Sequence, residues 1–191
     1  MTAADLAQSL AKAFPEATKL QPEFRGEHTL EVRLSDLLAV LQHCRDALGF
    51  DSLVDLSTVD HETRLPRFDV VYELYGMEHH QHLRLRVLLA DEEECPSACE
   101  IWPTANWHER EAYDMMGVRF ANHPDLRRIL LWEGFPHFPL RKEYPLAGLP
   151  TELPEVAFTR PAPMADGPFV TSAGGKDAIA REPRARPQRA E

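Results

Sequence analysis

The residues with the most chemistry in them crowd into one stretch. Between Trp102 and Tyr144 the charges alternate in sign: Glu109-Arg110-Glu111, Asp114, Asp125, Arg127-Arg128 and Arg141-Lys142. They stand among Trp102, Trp107, Tyr113, Phe120 and Trp132, and Gly117 and Pro124 punctuate the run. Guanidinium forks that pair carboxylates beside large rings make a desolvated polar contact surface. The same residues also suit a helix with surface ion pairs, each worth little. Charge pattern alone leaves both readings open.

Catalysis by these groups finds little support. Glu109 and Glu111, two residues apart on a helix, point to different faces and make no acid–base pair. His108-Glu109 opens like a zinc-protease helix, but position 112 is Ala, so the second ligand is missing. His79, His80 and His82 crowd one hairpin tip with Glu78 beside them; no Cys or carboxylate stands at a spacing that completes a tetrahedral site. The three cysteines, Cys44, Cys95 and Cys99, are too few for an iron–sulfur cluster and too irregular for a disulfide framework. Gly-x-Gly-x-x-Gly and Gly-x-Ser-x-Gly are missing, and Gly174-Gly175-Lys176 lacks the rest of a phosphate loop. No catalytic, cofactor-binding or metal-ligating residue is expected in this chain.

The elements that position the charged stretch can be read from periodicity. Leu6, Leu10 and Phe14 predict a helix over 3–14, stopped by Pro15. Leu30, Val32 and Leu34 alternate in a strand over 28–34. Ser35 is then expected to cap a helix with the stripe Leu37, Leu41, Cys44 and Leu48, ended by Gly49. A strand follows near 53–59, then a polar turn. Phe68, Val70, Tyr72, Leu74 and Leu83, Leu85, Val87, Leu89 predict a hairpin over 67–75 and 82–89. An acidic loop at 91–94 leads to a third helix over 104–116, with Thr104 or Asn106 as cap. Asn106 and Glu109 have capping-box spacing, Arg110 and Asp114 can pair four apart, and Gly117 stands where a left-handed residue ends a helix. The expected fold is α+β: a two-layer domain with a mixed or antiparallel sheet and two to three helices, plus an extended C-terminal arm.

Composition sets the outer bounds. The 191 residues suit one domain with a tail, and 43% apolar content is enough for a core. A net charge of -10 argues against nucleic acid, which needs a basic face. No apolar run reaches the roughly 18 residues of a membrane span. The opening MTAADLAQSLAKAFPEA has neither the basic start nor the apolar centre of a signal peptide. A cytoplasmic protein is expected, with any membrane location supplied by a partner. After Pro145 the composition shifts: residues 151–191 hold six prolines, six basic and six acidic residues, and no apolar period. The expected domains are therefore 1–146, folded, and 147–191, an extended or disordered tail.

The run Trp107 to Pro145 resembles a known signature. The pieces are Glu109-Arg110-Glu111, Tyr113-Asp114, Gly117-Val118, Phe120, His123-Pro124-Asp125-Leu126-Arg127-Arg128-Ile129-Leu130 and Pro139-Leu140-Arg141-Lys142-Glu143-Tyr144-Pro145. Their order and spacing are similar to those of the 30-kDa subunit of respiratory complex I, the proton-pumping NADH:quinone oxidoreductase. The similarity extends more weakly to roughly residues 25–150. One residue departs: Phe138 stands where the family usually has His before Pro-Leu-Arg-Lys, with a histidine displaced to His137.

The resemblance implies a subunit with no flavin, cluster or quinone ligand of its own. FMN and Fe-S clusters would lie in partner subunits, which pass electrons from NADH to quinone and couple this to proton translocation. It further implies a peripheral place on the cytoplasmic side of the cell inner membrane. The neighbours would be the other peripheral-arm subunits of complex I, chiefly the quinone-side 49 kDa-type subunit and the neighbouring cluster-bearing one. Glu109, Arg110, Glu111, Tyr113, Asp114, Gly117, His123, Pro124, Asp125, Arg127, Arg128, Arg141 and Lys142 would hold the turns of the segment and dock them. Two alternatives stay open: the equivalent subunit of a membrane-bound hydrogenase or other-donor quinone dehydrogenase, and a stand-alone metal-binding domain on the histidines and the Cys95/Cys99 pair.

Overall fold

The computed structural model describes residues 2–145; the expected arm over 147–191 lies outside the described residues. The elements run α1 (Ala3–Ala13), β1 (Thr18–Leu20), β2 (Thr29–Val32), α2 (Leu37–Asp46), β3 (Ser52–Asp60), β4 (Phe68–Gly76), β5 (Gln81–Leu89), β6 (Glu94–Pro96), α3 (Ala105–Met116) and β7 (Arg119–Ala121).

Strict alternation makes the central hairpin. Phe68, Val70, Tyr72 and Leu74 of β4 face Leu89, Val87, Leu85 and Leu83 of β5, and each is at most 1% exposed. Each such side chain contributes about 1.5–3 kcal/mol by leaving water. The five-stranded sheet has the order β1-β2-β5-β4-β3. It is mixed, because β2 runs parallel to β5 while the other pairs are antiparallel. Leu6 and Leu10 of α1, and Leu37, Leu41 and Cys44 of α2, complete one core with the sheet's inner face. Cys44 is thus a core residue, as its place in the apolar stripe predicts. The other face is ionic: Arg86 pairs with Glu31 at 2.7 Å, Arg84 with Glu27 at 2.9 Å and with Glu73, and Arg64 with the buried Asp69.

Three local expectations need correction. Ser35 does not cap α2; a 3₁₀ turn over Leu34–Asp36 precedes the helix. Asp36 occupies the cap position without a side-chain bond to the helix, because Arg33 and Ser35 take its carboxylate, at 2.5 and 2.8 Å. β1 was not expected, and Glu94–Pro96, expected as loop, pairs in parallel with β7 through Cys95 and Phe120. Three-residue strands carry too little period to be read; long-range pairing makes them. Finally, Asn106 and Glu109 form no capping box, because Glu109 is drawn to the other side of the helix.

Candidate functional site

The charged stretch turns out to be built around the C-terminus of α3. A helix ends with carbonyls that lack an intrahelical partner. Here all four of the last are met. Gly117 N–H donates to Tyr113 O at 2.8 Å, and Arg128 Nη1 to Asp114 O at 2.9 Å. Leu140 N–H donates to Met115 O at 3.1 Å, and Arg141 Nε to Met116 O at 2.6 Å. Gly117 has φ of 77°, the left-handed region where a side chain is strained. A Cβ there would also lie 2.6 Å from the Phe138 ring.

Asp114 is the hub. Its Oδ2 accepts the N–H groups of Ile129, Leu130 and Leu131 at 2.9, 2.7 and 2.9 Å, while Oδ1 accepts Arg128 Nη1 at 2.6 Å. Burial opposes the carboxylate's charge, but the N–H groups and the guanidinium outweigh it and hold Asp114 below the usual carboxylate range. Arg128 spends its other fork on Phe135 O and His137 O, at 2.7 and 3.0 Å. The expected Arg110–Asp114 pair does not form. Arg110 instead donates to the carbonyls of Arg127 and Arg128, at 3.2 and 3.3 Å, and lies over the Trp107 ring. The acid has a better partner, since one Arg128 fork serves both its side chain and its carbonyl.

Phe138, the departure from the family pattern, fills a defined seat. The guanidiniums of Arg128 and Arg141 lie 5.1 and 5.0 Å from its ring centre, and Tyr113 meets it edge-on. The displaced His137 ring sits against Phe135 and Tyr144.

A second knot, which sequence reading missed, ties the end of the segment to the β3–β4 turn. Asp60 accepts Arg67 Nε at 2.9 Å and Nη2 at 2.8 Å, and the Lys142 N–H at 2.9 Å. Arg67 also pairs with Glu143, and with Asp91 at 3.2 Å. Arg141 meets the same Asp91 at 3.3 Å. Arg67, together with the Lys142 and Glu62 N–H groups, holds Asp60 far below the ordinary carboxylate range. Asp60 and Arg67 flank one turn, but Asp91, Lys142 and Glu143 come from distant segments, and nothing local signals them.

Glu109 is fully buried and differs from the other acids. Oε1 accepts Ala98 N–H at 2.6 Å, and Oε2 accepts the Ser97 hydroxyl at 2.7 Å. Burial pushes its pKa up, against these donors. Its neighbour Glu111 is exposed, as helical geometry predicts. His123 accepts Asp125 N–H on Nδ1 at 3.0 Å and directs Nε2 at Asn106 O, 3.2 Å away. Glu111, Pro124, Asp125, Arg127 and Lys142 stay on the surface, and the Arg127–Asp125 pair at 2.9 Å is mostly solvated.

The hairpin histidines do not converge. His79 Nε2 bonds Leu48 O at 3.1 Å, His80 meets the Tyr75 hydroxyl at 3.1 Å, and His82 lies 3.1 Å from Glu73. Cys95 contacts the Tyr72 hydroxyl at 3.3 Å, and burial lifts its thiol to about 12. Cys99 is lifted to about 11, again by burial first. Thiols held this high are poor nucleophiles.

Comparison with known proteins follows the same outline. The pattern of the family described as "Respiratory-chain NADH dehydrogenase, 30 Kd subunit" matches residues 30–150. An NADH-quinone oxidoreductase subunit of the C type from Rhizobium etli is 46% identical over 129 residues, 65% of this chain and 69% of that protein. Its counterpart in Geotalea uraniireducens is 45% identical over 128 residues, 66% of this chain and 77% of its own. The counterpart in Hyphomonas neptunium is 41% identical over 146 residues, 75% of this chain and 72% of its own. In fold, a chain of the membrane-bound sulfane sulfur reductase, an archaeal respiratory membrane complex, superposes with a TM-score of 0.65 over 75% of this chain and 85% of that one, at 16% identity. The α+β architecture, the segment that closes α3 and the sequence match over 30–150 agree: the chain belongs to the respiratory-chain NADH dehydrogenase 30 Kd subunit family.

Proposed function

We propose that this chain is a peripheral-arm subunit of a proton-translocating NADH:quinone oxidoreductase. It carries no flavin, Fe-S cluster, quinone ligand or catalytic residue; FMN and the clusters belong to its partners. The family match over residues 30–150 carries this reading, because it spans most of the sheet and the knotted segment. Asp114, Arg110 and Arg128 find their partners within the chain, so their role is to hold the segment's shape. Docking falls to the exposed members: Glu111, Pro124, Asp125, Arg127 and Lys142. The partners are the quinone-side 49 kDa-type subunit and the neighbouring cluster-bearing one, on the cytoplasmic side of the inner membrane. No helix among the described residues is long and apolar enough to cross a membrane.

The test is a tagged pull-down of the full chain from mildly solubilised membranes of its host. A large assembly with FMN, iron–sulfur signals and NADH-driven quinone reduction supports the proposal. A chain that purifies alone, without flavin, overturns it. The fold likeness to a chain of the sulfane sulfur reductase favours a second reading, the equivalent subunit of a related respiratory complex with another donor. An assembly without FMN, active with that donor, supports it instead.

A further inference from the structure

Four carboxylates are buried among the described residues: Asp60, Asp69, Glu109 and Asp114. Three are neutralised by arginine: Asp60 by Arg67, Asp69 by Arg64, Asp114 by Arg128. Glu109, at 0% exposure, has none; the basic group beside it is His123 Nε2, 3.9 Å away. That imidazole is also wholly buried; Nδ1 takes the Asp125 N–H, and Nε2 faces Asn106 O at 3.2 Å. The Cys99 sulfur completes the corner, 3.6 Å from Glu109 Oε2. Ligand atoms from all three residues lie within 4.8 Å of one another. A buried carboxylate without a countercharge is costly, and a divalent cation removes that cost.

We propose that Cys99 Sγ, Glu109 Oε2 and His123 Nε2 form a binding site for Zn2+, with water as the fourth ligand. The set fits the ion: one sulfur, one nitrogen and one oxygen are the ligands a borderline-soft tetrahedral cation takes. The Glu109 carboxylate and the His123 ring are wholly buried, and the partly exposed Cys99 leaves the side from which water and metal enter. Ser97 Oγ, bonded to Glu109 at 2.7 Å, orients the carboxylate from outside the ligand set. The three ligands come from the 97–99 segment, α3 and the 122–125 turn, so the ion would fasten three separate pieces of chain.

Binding has a proton balance. The Cys99 thiol loses its proton to solvent as the sulfur–metal bond forms. Nε2 gives up its contact with Asn106 O to bind the ion, the imidazole proton then sits on Nδ1, and Asp125 N–H must turn away. That movement falls in the Asn122–Asp125 turn, where Asn122, Pro124 and Asp125 are exposed. One thiol proton released per ion makes the affinity rise about tenfold per pH unit below the thiol's pKa. This site does not depend on the family reading, and it is a structural rather than a redox centre.

The experiment strips the full chain with a chelator and titrates it with Co2+ as a probe, then displaces Co2+ with Zn2+. One Co2+ per chain, a thiolate-to-cobalt absorption band, and loss of that band in Cys99→Ser support the proposal. His123→Gln, a second variant that stands if Cys99→Ser fails to fold, should abolish binding as well. His80→Gln/His82→Gln should leave it intact. In the amide spectrum, Zn2+ should shift Asp125. Absence of the thiolate band, its survival in Cys99→Ser, or an affinity independent of pH would overturn the site.

Discussion

Arg128 and Asp114 stand fourteen residues apart and meet twice: Nη1 lies 2.6 Å from the Asp114 carboxylate and 2.9 Å from its carbonyl. One guanidinium thereby neutralises a buried acid and closes the end of the helix that carries it. The charged signature is first a helix terminus and only at its rim a surface.

That geometry makes Arg128→Ala severe. Asp114 is 0% exposed and the Arg128 side chain 11%, so truncation leaves a buried charge without its cation. The expected loss is about 3–5 kcal/mol in urea unfolding of the isolated chain. Asp114→Asn should cost less when added to Arg128→Ala than alone, because the pair acts as a unit. Additive losses would show that the contact is not coupled.

Gly117→Ala should cost about 1–3 kcal/mol, from a strained left-handed backbone and from pressing on Phe138. Adding Phe138→Ala removes the second contribution. A double variant no less impaired than the sum of the two single ones would mean that the ring contact does not matter.

Acid should loosen the two knots. Asp60 and Asp114 have folded pKa values below their unfolded value of about 3.9, so they add stability above that pH. This stability is lost as pH falls through the folded values. Glu109 has the opposite sign. Its folded pKa is raised, so its contribution is full below the unfolded value of about 4.3 and is lost as pH rises through the folded one. Metal-free Glu109→Gln, which can still accept Ala98 N–H, should therefore gain on the parent as pH rises from about 4 to neutrality. Unfolding curves at several pH values check this; a variant that falls further behind as pH rises would contradict the sign.

Charge reversal at the exposed rim should separate assembly from folding. Glu111→Arg or Arg127→Glu is expected to change the chain's own stability by no more than about 0.5 kcal/mol, as for most surface positions. The same variants should lower the yield of assembled complex from host membranes. Unchanged yield with both would move the docking face elsewhere.

Much of this protein was written locally. The alternation in 67–75 and 82–89 names the eight inward residues of the hairpin, because a strand puts every second side chain on one face. The stripe ending at Gly49 and the left-handed Gly117 follow equally from short-range rules, and the motif order alone pointed to the family. What tertiary structure decided was partnership. Four-residue spacing offered Arg110 to Asp114, but the fold brought Arg128, which reaches two acceptors at once. Capping-box spacing offered Glu109 to Asn106, but the 97–99 segment claimed the carboxylate. Arg67 and Glu143, Asp91 and Arg141, and Cys99 with His123 have no local sign at all. Helix and strand periods are properties of neighbouring residues; a charge takes whichever partner the closed chain delivers, and that choice exists only after the sheet and α3 have packed.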